Sequence, residues 1–232
     1  MRCKWLVSLL VSMALLSAGL IGPAVAAEEA EKIAAAADVF REIVAIPEKG
    51  IPQALLRNAH AIAIIPAVVK LGFVVGGRYG KGVLMVRAEG AEWSNPSFVT
   101  LTGGGIGWQI GAQSSDIILV FKNKRSIEGI KRGKFPLGVD AAAVAGPLGR
   151  NAEAATDVEL KAEIYSYARS RGLFAGVSLE GAALRIDDKA NAAFYGRKEI
   201  GADEIFDGKI RESAVVRRLL TLLAEHAPPP KK

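Results

Sequence analysis

The sequence predicts an α+β domain, with strands crowded into the middle of the chain and an amphipathic helix at either end. Three observations carry this. Residues 28–46 repeat Ile33, Ala37, Phe40, Ile43 and Val44 at helical spacing, which gives one apolar stripe. Between His60 and Phe121, short β-branched or apolar runs alternate with Gly, Asn and Ser, as strands alternate with turns. Residues 210–226 set Val215, Leu219, Leu222 and Leu223 on one side of a helix, with Arg211, Arg217 and Arg218 largely opposite.

The chain opens on an export-type segment. Arg2 and Lys4 form a positive head, Leu6 to Leu16 an apolar run, and Ala24-Val25-Ala26 a small-residue cleavage pattern after Gly19 and Pro23. Cleavage after Ala26 is expected, leaving one domain over 27–226 and a flexible tail at 227–232; the rival reading is an uncleaved anchor, for which the apolar run is short. The only cysteine, Cys3, lies at the head of this segment and not at its end, so no lipoprotein attachment is expected. The processed chain then has no thiol, no disulfide and no cysteine metal site. A periplasmic protein, peripherally associated with a membrane, is the expectation. The formal charge of +6 falls to about +4 once Arg2 and Lys4 are removed, a modest excess whose placement matters more than its size.

Within the domain, Glu28, Glu29 and Glu31 suit the start of the first helix, Pro47 ends it, and Gly50-Ile51-Pro52 turns into a short helix at 53–59. Strands are predicted at 60–66, 72–76, 82–88, 97–102, 106–113 and 116–122. A short helix at 126–131 is predicted with Ser126 as its cap, and residues 139–146 read as a further strand. Residues 164–181 read as two strands around an Arg-Gly turn. Leu173, Ala175, Val177 and Leu179 fall on one face, suited to a core, and Phe174, Gly176, Ser178 and Glu180 on the other. The bare Gly176 and Ser178 mark a possible close-approach surface for a partner, or only a bend or a neighbouring strand. Asp187 or Asp188 caps a helical turn running through Phe194.

Catalytic constellations are scarce. The two histidines, His60 and His226, exclude a histidine-rich zinc site, and a Ser-His-Asp triad would have to recruit His60. Gly80-Lys81 is followed by Gly82 where a phosphate-binding loop needs Ser or Thr. Asp116, Asp140 and Glu180 sit in or beside apolar strands and need partners, for which Arg150 and Arg169 are available. A cation held by Asp187 and Asp188 competes with their capping role. No catalytic residue, metal site or cofactor is predicted. The charge cluster with functional content comprises Lys122, Lys124, Arg125, Lys131, Arg132 and Lys134, six cations against the single acid Glu128. Near an anionic bilayer each such cation contributes about 1 kcal/mol. Nucleic acid is not expected, since no stacking aromatics interleave these cations.

In order along the chain stand Ile51-Pro52, Ala61-Ile62-Ala63-Ile64, Gly76-Gly77, Gly82-Val83-Leu84, Trp93-Ser94 with Pro96 and Phe98, Gly107 with Gln109 and Gly111, and Ala145-Gly146-Pro147 with Gly149-Arg150. Ile164-Tyr165-Ser166-Tyr167, Gly172 to Gly181 and Phe194-Tyr195-Gly196 follow. Together these resemble the SYLF domain family over residues 51–196. The resemblance implies a strongly curved, largely antiparallel, barrel-like sheet with flanking helices and no enzymatic activity. It implies lipid binding as well, since eukaryotic relatives bind phosphoinositide membranes and some fungal ones bind actin. Here the N-terminal helix is acidic at 28–31, which weakens transfer of the membrane role to it. Actin is not expected in a periplasm.

The leading expectation is therefore a non-enzymatic, lipid-binding envelope protein whose cations at 122–134 hold anionic phospholipid such as phosphatidylglycerol or cardiolipin. The alternative is a protein–protein interaction or scaffolding module with no lipid contact. An enzyme using His60, Asp116 or Glu180 ranks last.

Overall fold

A nine-stranded sheet forms the body of the chain in the computed structural model, which describes residues 21–46, 50–72, 75–87, 92–106, 111–137, 143–149, 162–170, 172–207, 210 and 212–229. The elements are α1 (Ile21–Val44), α2 (Gln53–Arg57), β1 (Ala61–Gly72), β2 (Val75–Val86), β3 (Ser97–Ile106), β4 (Gly111–Phe121), α3 (Lys124–Lys131), β5 (Phe135–Leu137), β6 (Ala143–Ala145), β7 (Ile164–Ser170), β8 (Leu173–Gly176), β9 (Ala182–Ile186), α4 (Asp188–Tyr195), α5 (Ala202–Phe206) and α6 (Ala214–His226). The strand order is β5-β9-β3-β2-β1-β4-β7-β6, with β8 also on β7. Every pairing is antiparallel except β6 with β7. The sheet is barrel-like and nearly closed, and helices flank it as the α+β reading predicts.

Six strands predicted over residues 60–122 are four long ones. The run 60–66 extends through a bulge between Ile65 and Val68 as far as Gly72, and Ala67 takes a positive φ of 49° there. The glycines at 80 and 82 lie inside β2 because β1 bends closely over it there. A Cβ on Gly82 would stand 2.2 Å from the Ile64 carbonyl oxygen, so only glycine admits the bend.

Two apolar clusters lie on opposite faces of the sheet. Ile62, Ile64, Val83, Phe98, Ile118, Val120 and Tyr167 pack under α1, α4 and α6. Leu84, Leu101, Leu119, Phe121 and Leu184 pack with Ile127 and Ile130 of α3 and with Phe206 of α5. Helix α1 crosses the first face and is tied to β7 by Arg169–Glu42 and to α6 by Arg218–Asp38. Within the helix Lys32 bonds Glu28 and Glu29, and beside it Lys81 of β2 bonds Asp187. Arg169 of β7, which meets Glu42, also holds Asp116 at 2.7 Å. Asp116 thus finds the arginine its buried position requires, and its other oxygen accepts the Ala67 amide. Asp140 and Arg150 lie outside the described residues.

The C-terminal helix is closed by Arg87. Its guanidinium donates to the carbonyls of Leu56, Ala59 and Ala227 and lies over the Trp93 ring at 4.3 Å. Burial depresses its pKa, although it stays charged. Three helix and strand ends are thereby satisfied by one side chain.

The hairpin at 164–176 reverses the predicted facing. Leu173 is 78% exposed and Ala175 is exposed, whereas Phe174 turns inward and stacks on Tyr167 with centroids 5.5 Å apart. The physical reason is that β8 ends at Gly176, so Val177 and Leu179 enter the core from a loop and do not continue its alternation. The cap of α3 also differs. Asn123 accepts the Arg125 amide at 2.8 Å, and Ser126 lies within the helix, buried and bonded to Glu163. Asp187 caps α4 as expected, accepting the Ala190 amide at 3.1 Å.

Candidate functional site

The predicted cation cluster sits at the end of the sheet where β4 leaves for α3, and the structure divides it. Lys124, Arg125, Arg132 and Lys134 are exposed, while Lys122 is half-buried, its amide bonded to the Glu163 carbonyl. Lys131 is spent within the fold. It bonds Glu128 at 3.0 Å and Asp203 at 2.6 Å; burial works to lower its pKa, but Asp203 and Glu128 together outweigh burial and raise it. The adjoining cleft of about 580 Å³ is lined by Arg125 and Arg132 but equally by Glu128 and Glu163. Opposite charges therefore alternate along this cleft, beside four exposed cations of the predicted cluster.

Gly176 does sit at a close approach, and the chain itself makes it. A Cβ there would lie 2.3 Å from the Gly146 carbonyl oxygen, while a Cβ on Gly146 would lie 2.1 Å from the Tyr167 ring. Strands β6 and β8 share one edge of β7, taking residues 164–166 and 167–170 respectively, and the two glycines let their ends meet. Ser166 lies within hydrogen-bond reach of both the Val144 and Val177 carbonyls at this junction. Ser178 is exposed, and its hydroxyl accepts the Glu180 amide.

Sequence reasoning passed over the far end of the sheet, where β1 turns into β2 and β3 into β4. Beyond α1 the helix-bearing face continues uncovered. Val69 pairs with Tyr79 and Leu71 with Gly77, and Gly77 in turn pairs with Gly104. Val69, Leu71 and Tyr79 are 39%, 58% and 52% exposed. Among the described residues a Cβ on Gly104 would meet no atom within 4 Å, and one on Gly77 would find only the Gly103 carbonyl, at 3.8 Å. The result is an apolar shelf with a bare floor, bordered by α1. The alternation Val69-Lys70-Leu71 was available as a signal, but a period of two does not say which face lacks a cover.

Among the described residues the candidate acid–base groups His60, Asp116 and Glu180 are not brought together. His60 is half-buried and its pKa is lowered, by burial first and then by the charges of Lys124 and Arg87. Glu180 is exposed, and Asp116 is held in its ion pair. Among the described residues no group of three or more Asp, Glu, His or Cys side chains is placed to hold a metal ion, and no helix is long and apolar enough to cross a membrane.

A family model described as Ysc84, "Las17-binding protein actin regulator", matches residues 102–226. The chain belongs to the SYLF (Ysc84) family. It is 36% identical over 194 residues to the SH3 domain-containing YSC84-like protein 1 of Xenopus laevis, covering 81% of this chain and 58% of the relative. The human protein of the same name is 36% identical over 198 residues, covering 84% and 57%. LAS seventeen-binding protein 3 of Saccharomyces cerevisiae is 36% identical over 180 residues, covering 76% and 39%. The chain thus spans less than two thirds of the length of these curated relatives. The SYLF family is of a binding type. Its description and the yeast relative's name specify binding to a protein, which corrects the expectation of anionic phospholipids as the partner. At 122–134 four of the six cations are exposed and Lys131 is paired within the fold.

Proposed function

We propose that this SYLF chain is a non-enzymatic protein-docking module, and that a partner protein covers the far end of its sheet. The observation that carries this is the shelf of Val69, Leu71 and Tyr79, uncovered on the face that three helices protect elsewhere. Contiguous exposed apolar surface of this kind favours association, and the protein-binding names of the family supply the class of occupant. The dispersal of His60, Asp116 and Glu180 supports the absence of catalysis.

The test is affinity capture with the full chain in lipid-depleted buffer, quantified for stoichiometry. Wild type is expected to retain a protein near equimolar amount, and Leu71→Asp with Tyr79→Asp to lose it while melting normally. Capture of nothing stoichiometric, or equal retention by the double variant, would count against the reading. Export rests on the N-terminal segment. The processed protein is expected to begin at Ala27, and a mature chain found to begin at Met1 would refute that.

A further inference from the structure

The face opposite the shelf carries a second feature at the same end of the sheet. Lys70 on β1 stands directly across from Arg78 on β2. Directly opposed residues on neighbouring strands place their Cβ atoms about 5 Å apart, and like charges there repel. Neither cation makes an ion pair among the described residues, whereas Lys81 has Asp187 and Arg169 has Asp116. Arg78 is also half-buried. Loss of solvent lowers its pKa with no acid to offset the cost, and its stem lies where a Cβ on Gly103 would come within 3.0 Å. A repelling pair, one member of it desolvated, is an arrangement completed by an incoming anion.

The surroundings give the anion its shape. The row holding the pair reads Gly103–Arg78–Lys70–Gln113 across β3, β2, β1 and β4. The next row toward the strand ends, two residues on, reads Gly105–Gly76–Gly72–Gly111. Four adjacent strands thus meet at glycine, leaving a floor about 14 Å wide from three interstrand spacings. Along one side of this floor stand the two cations. The glycine row carries no Cβ to oppose an extended backbone laid across it, and the cations select what that backbone carries.

We propose that Lys70 and Arg78 form a carboxylate-binding pair that seats an extended acidic segment of the partner protein on the glycine floor. This rests on the protein-docking reading and adds to it the chemistry of the segment. The pair would hold the carboxylates by charge-assisted hydrogen bonds, Arg78 through two N–H groups and Lys70 as a point charge.

The test uses the full chain and a fluorescein-labelled hexaglutamate peptide, followed by anisotropy at fixed ionic strength. Lys70→Glu with Arg78→Glu is expected to weaken binding by at least about tenfold. Lys124→Glu with Arg125→Glu changes net charge equally at the other end of the sheet and is expected to weaken it less than about twofold. Equal weakening by the two variants would reduce the effect to net charge and overturn the proposal, as would absence of peptide binding by wild type. So would phosphatidylglycerol vesicles that bind through Lys70 and Arg78 where the peptide does not. Thermal unfolding supplies a second readout: Lys70→Glu alone replaces repulsion by attraction across β1 and β2, so its midpoint is expected to rise while binding falls. If the double charge reversal unfolds, Lys70→Gln with Arg78→Gln is judged by the same tenfold criterion. In the capture experiment, a partner retained by the charge-reversed pair as well as by wild type would sink this site and leave protein docking standing. Loss of the partner from wild type itself would sink the reading beneath it.

Discussion

Replacing Asp187 by Ala removes three interactions at the point where β9 turns into α4. The carboxylate accepts the Ala190 amide at 3.1 Å, pairs with Lys81 at 3.1 Å and accepts the Thr100 hydroxyl at 3.2 Å. Loss of an N-cap costs about 1 kcal/mol. The Lys81 pair is partly exposed on the lysine side, so it and the Thr100 bond together add roughly 1 kcal/mol. The sum of about 2 kcal/mol corresponds to a fall in Tm of roughly 4–8 °C for a chain of this size. Asp187→Asn keeps a capping oxygen and loses the charge, so it is expected to cost about 0.5–1 kcal/mol. The pH dependence has a definite sign. Burial works to raise the Asp187 pKa, but the Ala190 amide, Lys81 and Thr100 outweigh it, and the net value lies below the ordinary carboxylate range. A depressed folded-state pKa gives stability that is present above the unfolded value and lost as pH falls through the folded one. Urea unfolding followed by far-UV circular dichroism at pH 7 and pH 3 measures both effects. The gap between wild type and Asp187→Ala should be about 2 kcal/mol at neutral pH and smaller at pH 3. A neutral-pH gap below about 0.5 kcal/mol, or one that widens in acid, would refute the assignment.

Gly176→Ala sets a Cβ against the Gly146 backbone and is expected to destabilise by about 1–3 kcal/mol, read by thermal melting; a neutral substitution would mean that β6 and β8 do not meet as described. Burial pushes the Tyr167 and Tyr195 phenols above their ordinary pKa, and Tyr167 also donates to the Pro147 carbonyl. Their raised folded-state values predict full stability below about pH 10 and progressive loss above it, where only the unfolded chain ionises. Tyr167→Phe should flatten that alkaline slope and cost about 1 kcal/mol at neutral pH, and an unchanged slope would contradict the burial argument.

Local chemistry made the helices and most strands legible. The stripe of Ile33, Ala37, Phe40 and Ile43 required a covered helix, and Asp187 announced a helix start, because both signals act within a few residues. The facing of Leu173 and Phe174 was not legible. It depends on Gly176 meeting Gly146, thirty residues earlier in the chain. The pairing of Lys131 was not legible for a similar reason. Asp203, which neutralises Lys131, arrives from a distant helix, and spacing within the cluster contains no trace of it. The shelf and the Lys70–Arg78 pair needed the register of four strands. Sequence alternation assigns residues to two faces but cannot say where α1 stops covering one of them.

Hydrogen–deuterium exchange on the captured complex tests the docking claim most directly. Binding at the far end of the sheet predicts new protection in peptides spanning 69–72, 76–80 and 102–104, with little change over 122–134. Protection confined to 122–134, with the far strands unaltered, would contradict it.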